Sequence, residues 1–257
     1  MSTALRELAA LRRELTTFSH RVHAAGWVAN HDGNLSLRLP PDRLLCTPTS
    51  VSKADVSEEQ ILLLDAQGAV LEGKGKPFSE LVLHQTVYAA RADVSCVLHA
   101  HPRYATALSL LEAEVQRPYM AEFVVSLGAD LPIVPYHLPG TKAYSESLIE
   151  PIRRSNALIL ANHGVLTCGQ DLAQAYYRME LLEHYAAILC LARSLGTPKP
   201  LPESDTASLL DKRRKAGLEP PTASSSAPAP ATQPVRGDLR ALIEEEVLQA
   251  LAARTGR

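Results

Sequence analysis

The stretch CVLHAHP, residues 96–102, is an apolar run that ends in two histidines one residue apart and then in a proline. Side chains on a strand alternate between the two faces of a sheet, so His99 and His101 share one face while Leu98 and Ala100 take the other. The stretch therefore predicts a buried strand that presents two imidazoles side by side at its end. Two structural histidines would fit the same pattern, and a third ligand is needed to decide between these interpretations.

A second apolar strand, ALIL at residues 157–160, is followed by Asn162, His163 and Gly164. The glycine is expected to let the backbone turn there without the steric cost of a Cβ atom. Three neutral imidazoles that converge from strand ends would form a zinc-type site with open positions for substrate oxygens. The predicted ligands are His99, His101 and His163.

A carboxylate precedes the histidine strand in SELVLHQTVYAARAD, residues 79–93. Apolar residues recur there at helical spacing, and Ser79 is predicted as the N-cap of that helix. Three roles fit Glu80: a general base, a fourth metal ligand, or a first-turn carboxylate that interacts favourably with the helix dipole.

Helices and strands alternate along the rest of the body. Helices are predicted over residues 2–27 and around 103–111, strands over 33–39, 43–50, 131–138 and 157–164, a hairpin over 61–73, and a long helix from Asp171 to about Ser194. This order predicts an α/β fold built in layers. A cupin, which also uses an H-x-H pair, would consist almost entirely of short strands, so the long helix argues against that class.

Composition favours small-molecule chemistry. The chain has 257 residues, of which 46% are hydrophobic and 21% charged, and a net charge of -2. That balance gives no electrostatic footprint for nucleic acid or for a membrane surface. The N-terminal segment lacks the apolar run of a signal peptide, and the four cysteines are scattered, so a cytoplasmic location is expected.

The C-terminal part differs from the body. We predict a folded domain over residues 1–218, a flexible Pro/Ser/Ala-rich linker over 219–237, and an amphipathic helix over 238–257. The apolar stripe of that helix contains Leu239, Leu242, Ile243 and Val247. A short helix of this kind needs a partner for its stripe, either its own assembly or another protein.

The ordered motifs GWVANHDGNLSLRL, TPTSVSKADV, GKPFSELVLHQTVYAARADVSCVLHAHPRYA, PGTKAYSESL and ALILANHGVLTCGQDLAQAYYRMELLEHYA resemble the class II aldolase/adducin family, including its L-fuculose-phosphate aldolase members. The resemblance runs from about residue 6 to about residue 218. It implies a three-layer α/β/α fold around a mainly antiparallel sheet, and a homotetramer with active sites at subunit interfaces. It also implies a divalent metal, Zn²⁺ or another such as Mn²⁺ or Co²⁺, on His99, His101 and His163.

The same resemblance implies a reaction. A ketose 1-phosphate of the L-fuculose or L-rhamnulose type would be cleaved to dihydroxyacetone phosphate and lactaldehyde, with Glu80 as acid/base and the metal stabilising an ene-diolate. Tyr119 stands where a neighbouring subunit's tyrosine protonates the aldehyde oxygen. Epimerases, dehydratases and decarboxylases use the same scaffold, and adducin-like relatives without the metal site are not catalytic. A zinc hydrolase would require neither Tyr119 nor the anion loops.

The family's phosphate-binding positions correspond here to Gly33, Asn34, Thr49, Ser50 and Ser79. The sequence departs from the family at three places. Ser50 stands where glycine is usual, Phe78 where a serine is usual, and Asp32 adds a carboxylate beside the loop. A phosphorylated substrate is expected, although these changes remove a hydroxyl donor and add a negative charge.

The C-terminal segment is similar to the encapsulation peptides that direct enzymes into bacterial microcompartments. A shell would retain the reactive aldehyde that an aldolase releases. This resemblance predicts a cargo enzyme whose terminal helix binds a shell protein or drives cargo clustering.

Overall fold

An eight-stranded, mostly antiparallel sheet forms the centre of the fold. The computed structural model describes residues 3–111 and 117–221. The strands are β1 Asn34–Leu39, β2 Arg43–Cys46, β3 Leu62–Leu64, β4 Val70–Glu72, β5 Cys96–Ala100, β6 Ile133–Val134, β7 Ala157–Leu160 and β8 Gly164–Gly169. Their order is β4-β3-β2-β1-β5-β8-β7-β6, and only β6 and β7 pair in parallel among these strands. The predicted histidine strand, β5, is therefore central.

Helices cover both faces of this sheet. They are α1 Thr3–Ala24, α2 Leu81–Ala90, α3 Arg103–Ser109, α4 Ala121–Leu127, α5 Lys142–Ser147, α6 Ile149–Arg154, α7 Leu172–Leu195 and α8 Glu203–Lys215, with a short 3-10 turn at Glu58–Gln60. One buried cluster joins α1, α3, α4 and α7 to the sheet, and a second joins α2, α5 and α6 to the other face. The three-layer α/β/α architecture expected from the sequence is confirmed.

Alternation along the strands separates these two clusters. In β5, Leu98 and Ala100 belong to the cluster beneath α1 and α7, whereas Val97 belongs to the cluster beneath α2. His99 therefore lies on the α2 face, as the alternation predicts. All five residues of this strand are buried.

The start of α2 corrects one prediction. Glu80, not Ser79, occupies the N-cap position, and its side chain makes no hydrogen bond to the first turn of the helix. Ser79 is exposed one residue earlier. A serine cap is not formed because the chain enters the helix one residue later than expected, which leaves the Glu80 carboxylate available for other contacts.

The longest helix and the end of the described part bear on the other sequence predictions. The long helix α7 begins after Asp171, whose Oδ1 accepts a hydrogen bond of 2.7 Å from the backbone of Gln174. No helix within the described ranges is long and apolar enough to cross a membrane. The described part ends at residue 221, so the helix predicted over 238–257, with Leu239, Leu242, Ile243 and Val247, and most of the linker over 219–237 lie outside it.

Candidate metal centre

The three predicted histidines meet at one end of the central strands. His99 lies near the end of β5 opposite Leu166 of β8, and His163 lies in the connection between β7 and β8. The ring centroid of His99 is 4.9 Å from that of His101 and 4.7 Å from that of His163. One potential ligand atom from each ring lies within 4.8 Å of the others, as metal binding requires.

Gly164 permits this convergence for a reason that differs from the predicted one. A Cβ atom at this position would lie 2.6 Å from Cδ2 of His101 and 2.7 Å from the carbonyl oxygen of Ala100. The left-handed backbone conformation in the turn belongs instead to Asn162, at φ 56°. Glycine is therefore required because the His101 ring packs against it, not because the chain turns there.

Each histidine uses its Nδ1 atom for a contact outside the cluster. Nδ1 of His99 is 2.9 Å from the carbonyl oxygen of Val165, Nδ1 of His163 is 2.7 Å from the hydroxyl of Tyr144, and Nδ1 of His101 is 3.6 Å from a carboxylate oxygen of Asp32. Partners of this kind fix ring orientation and the position of the ring proton in metal sites. The three Nε2 atoms are thus left to face one another, and this donor set fits a divalent cation.

Burial keeps the rings of His99 and His101 in the form that binds a metal. It lowers the pKa of His99 to about 4, although the nearby Glu80 carboxylate acts in the opposite direction. Burial and the neighbouring His163 also lower the pKa of His101. At neutral pH both imidazoles are uncharged, and a neutral ring nitrogen is the ligand form.

Glu80 completes the cluster. Its Oε1 is 3.0 Å from Nε2 of His163, its Oε2 is 3.5 Å from Nε2 of His99, and the same Oε2 accepts a hydrogen bond of 2.8 Å from Asn34. Burial alone would raise the pKa of this carboxyl, but the two histidines and the amide stabilise the carboxylate and bring its pKa below the ordinary value. Glu80 is therefore ionised and within reach of a cation or a substrate proton.

The predicted phosphate residues lie in three segments: the start of β1, the segment after β2 and the segment before α2. Thr49 and Ser50 follow β2, and the backbone N–H of Thr49 donates to the carbonyl oxygen of Lys76 at 2.9 Å, which holds their loop against the segment that leads to Glu80. Ser50 has φ 60°, a left-handed conformation that explains why glycine is usual at this position. Ser79 is exposed. The proposed role of these residues in phosphate binding stays a prediction.

Two further phosphate residues are constrained by neighbours. Gly33 has φ 71°, and a Cβ atom there would lie 2.4 Å from the side chain of Val28. The side chain of Asn34 is only 3% exposed, because it contacts Glu80 on one side and His84 on the other. Asn34 therefore supports the carboxylate, a contact that its sequence position did not indicate.

The departures from the family pattern have structural explanations. Phe78 is buried, with its ring centroid 4.9 Å from that of His84, so it packs into the core beneath α2. Asp32 lies 3.6 Å from Nδ1 of His101, so its carboxylate faces that ring as well as the loop. Phe78 therefore packs against His84, and Asp32 lies beside His101.

Sequence reasoning missed three side chains near the cluster. Tyr144 contacts His163, Ser36 contacts His84, and Lys53 is buried, with its ammonium donating to the carbonyl oxygens of His31 at 3.3 Å and Val51 at 3.1 Å. Burial lowers the pKa of Lys53 to about 8. The alternation of polar and apolar residues in NLSLRL was the signal for Ser36, whereas Tyr144 and Lys53 came close to the site only through the tertiary fold.

Tyr119 lies just before α4, half-buried against the core cluster that α4 and α7 share. Its predicted role involves the active site of a neighbouring subunit. That role stays a prediction.

The fold and site define an α/β/α protein with a candidate metal centre: a sheet with helices on both faces and three histidines that converge at one end of its central strands. The chain belongs to the class II aldolase/adducin family, because the family model for the Class II Aldolase and Adducin N-terminal domain matches residues 13–190. Divalent-metal dependence and sugar-phosphate substrates are general in its aldolases.

Individual relatives span two reactions. The chain is 35% identical over 183 residues to 3-oxo-tetronate 4-phosphate decarboxylase from Escherichia coli O6:H1, covering 70% of this chain and 85% of that protein. It is 30% identical over 188 residues to L-fuculose phosphate aldolase from Escherichia coli K12, covering 72% and 86%. The crystal structure of YgbL from Escherichia coli superposes with a TM-score of 0.73 at 32% identity, covering 79% of this chain and 99% of that one.

Proposed function

We propose that this protein is a metal-dependent carbon–carbon lyase that releases dihydroxyacetone phosphate. The observation that carries the proposal is the contact of the Glu80 carboxylate with two of three converging imidazoles, at 3.0 Å and 3.5 Å. A carboxylate at this position can move a proton at a carbon next to a carbonyl group. Adducin-like loss of catalysis does not fit, because all three histidines and the acid/base are retained.

A divalent cation, Zn²⁺ or another such as Mn²⁺ or Co²⁺, held by His99, His101 and His163 would supply Lewis-acid stabilisation of negative charge on the substrate's carbonyl and hydroxyl oxygens. Glu80 accepts the carbon proton in the condensation direction and returns it in the cleavage direction. In this proposal Asn34 fixes Oε2, and Oε1, which lies 3.0 Å from Nε2 of His163, is the oxygen that takes the proton. The loops that carry Gly33, Thr49, Ser50 and Ser79 bind the phosphate.

The first candidate reaction is aldol cleavage of a ketose 1-phosphate such as L-fuculose or L-rhamnulose 1-phosphate, with lactaldehyde as the second product. This reaction also moves a proton at the oxygen that becomes the aldehyde: the hydroxyl loses it in cleavage, and the aldehyde oxygen regains it in condensation. In this proposal Tyr119 of a neighbouring subunit of a homotetramer accepts that proton in cleavage and returns it in condensation. Replacing Tyr119 with Phe should slow aldehyde release by about 10–100-fold while leaving proton exchange on dihydroxyacetone phosphate nearly unchanged.

The second candidate is decarboxylation of a 3-oxo acid 4-phosphate, which the 35% identity to the decarboxylase favours. Loss of carbon dioxide from 3-oxo-tetronate 4-phosphate leaves the same ene-diolate, and its protonation gives the same ketone phosphate. This reaction has no aldehyde oxygen to protonate. Tyr119 is therefore dispensable in the second candidate and required in the first.

The test is product analysis with metal-loaded, full-length protein. The substrates are ketose 1-phosphates, their unphosphorylated forms, and 3-oxo-tetronate 4-phosphate, with lactaldehyde and carbon dioxide measured separately. Either product together with dihydroxyacetone phosphate supports the lyase and identifies its reaction. Epimerised or dehydrated product alone contradicts the proposal.

The location of the enzyme is a separate proposal, supported by the amphipathic pattern of residues 238–257. We propose that this segment directs the enzyme into a bacterial microcompartment, with Leu242, Ile243 and Val247 as anchors on a shell protein. Residues 235–257 fused to a fluorescent protein should form puncta when expressed with shell proteins. Diffuse fluorescence, or equal encapsulation of enzyme lacking these residues, would rule it out.

A further inference from the structure

A buried chain of polar side chains extends from Glu80 into the layer between β1 and α2. Asn34 donates to Oε2 of Glu80 at 2.8 Å, and Oδ1 of Asn34 is 2.6 Å from Nε2 of His84. Nδ1 of His84 is 2.7 Å from the hydroxyl of Ser36, which is 2.7 Å from the hydroxyl of Tyr88. Ser36 and His84 are fully buried, so the chain is shielded from water beyond Glu80.

Four residues of this hydrogen-bonded chain form two pairs, one on strand β1 and one on helix α2. Asn34 and Ser36 are two residues apart on one face of β1, and His84 and Tyr88 are one turn apart on the buried side of α2. Both spacings are roughly 6–7 Å, so the helix pair can contact the strand pair. The ring of Phe78 covers the side of His84, at 4.9 Å between centroids.

The donors of this chain all point towards Glu80. A carboxylate can only accept, so the Asn34 amide nitrogen faces it and the amide oxygen faces His84. Nε2 of His84 must then carry the ring proton, which leaves Nδ1 to accept from the Ser36 hydroxyl. The hydroxyl of Tyr88 donates to Ser36, where it contacts both the hydroxyl and, at 2.9 Å, the carbonyl oxygen.

Without His84 the Asn34 amide has no buried donor for its oxygen and gains freedom to rotate. Rotation would present the amide oxygen to the Glu80 carboxylate and repel it. The orientation of the acid/base therefore depends on a ring that is linked to Glu80 through the Asn34 amide.

We propose that His84, together with Ser36, is a positioning element that locks the Asn34 amide and so holds Glu80 in its working orientation. This inference rests on the proposed role of Glu80 as acid/base. Its test therefore uses dihydroxyacetone phosphate, which is the product common to both candidate reactions, and measures the exchange of the hydroxymethyl hydrogen with deuterium from the solvent.

The experiment compares His84→Phe, His84→Gln, Ser36→Ala and the control Thr167→Val in metal-loaded, full-length protein. Thr167 is fully buried on β8, and its hydroxyl donates to Ala175 of α7, so the control loses one buried hydrogen bond on the other face of the sheet. Glutamine at position 84 keeps an N–H near the place of Nε2. It should restore part of the loss caused by phenylalanine.

We expect His84→Phe to lower the maximal exchange rate about 10–100-fold and Ser36→Ala about 3–10-fold, with the half-saturating substrate concentration and the metal content unchanged. Thr167→Val should stay within about twofold. A crystal structure of metal-free His84→Phe should show the Asn34 amide and the Glu80 carboxylate in altered rotamers, which is a readout independent of activity.

Exchange at the wild-type rate in His84→Phe, or equal slowing by Thr167→Val and Ser36→Ala, would overturn the positioning role. If His84→Phe does not fold, Ser36→Ala and His84→Gln against Thr167→Val still decide the question. No exchange by the wild-type protein would instead contradict the proposed function, so the two failures are distinguishable.

Discussion

The two faces of β1 differ sharply in what their side chains do. Leu35, Leu37 and Leu39 face the cluster beneath α1 and α7, where they add to the larger apolar core. Asn34 and Ser36 face α2. There Ser36 forms a hydrogen bond with His84, and Asn34 forms one with the Glu80 carboxylate. One strand thus packs into the core on one face and reaches the candidate site from the first half of the other face.

The polar face of the same strand changes character along its length. Near the histidines, Asn34 supports Glu80. At the far end, Arg38 donates to the carbonyl oxygens of Tyr88 at 2.9 Å and Arg91 at 3.1 Å, which is the C-terminal end of α2. A cation at that end of a helix stabilises it. Polar residues that alternate with apolar ones on a buried strand therefore indicate a face with specific hydrogen bonds. The position of each residue along the strand decides whether those bonds reach the candidate site or stabilise a neighbouring helix.

The largest expected effect is on turnover, and it should follow from changing Glu80, which the polar face of β1 contacts through Asn34. Glu80→Gln should lower turnover about 10²–10⁴-fold, because an amide cannot take the carbon proton, while the three histidines keep the metal. Turnover and metal content should be measured on the same preparation, with Glu59→Gln at an exposed carboxylate as the control. Loss of metal in parallel with turnover would make Glu80 chiefly a ligand.

The next largest effect is on stability, and it should follow from a change on the apolar face of β1. Leu37→Ala should lower the free energy of unfolding by about 2–5 kcal/mol, because it leaves a cavity in the core. Turnover per folded molecule should stay close to that of the wild type. Urea unfolding and active-site-normalised rates check both statements, and a large fall in the normalised rate would break the separation between the two faces.

A smaller effect should appear as a pH dependence of stability. Burial lowers the pKa of His84 to about 3, so in the folded state the ring stays neutral at pH values where the unfolded chain takes up a proton. The unfolded state binds more protons below about pH 6.5, and the stability that the neutral ring permits is lost as the pH falls. Lowering the pH from 8 to 5 should therefore reduce the free energy of unfolding by about 2 kcal/mol through this group.

The measurement is urea unfolding of metal-free protein across that pH range. His84→Gln should show a shallower fall, because glutamine does not titrate. The same slope in the variant and in the wild type would mean that the buried ring is not responsible.

Sequence patterns predicted the fold well where local rules act. The alternation in CVLHAHP and the helical spacing after Asp171 depend on neighbouring residues in the chain, and both are confirmed in β5 and α7. The cap of α2 was predicted wrongly at Ser79, since the choice between adjacent polar residues depends on where the chain enters the helix. Glu80 is at that cap position and turns towards the histidines.

The convergence of the three histidines was predictable because each lies at or just after the end of an apolar strand, but their hydrogen-bond partners were not. Tyr144 lies on α5 and contacts His163 only through the way α5 packs near the sheet. His84 follows Glu80 by one helical turn, which in sequence fits either a packing residue or a residue that supports the site, and only the tertiary contacts show that it reaches Glu80 through Asn34. Such contacts join residues that are distant in the chain, so no local pattern encodes them.

The central claim is that His99, His101 and His163 form a metal centre. The most direct measurement is the metal content of purified full-length protein by elemental analysis, compared between the wild type, His163→Ala and His20→Ala, whose ring contacts the Val56 carbonyl oxygen away from the cluster. We predict about one divalent cation per chain in the wild type and in His20→Ala, and nearly none in folded His163→Ala. Wild-type metal content in His163→Ala, or none in the wild type after incubation with Zn²⁺, Mn²⁺ or Co²⁺, would contradict the claim.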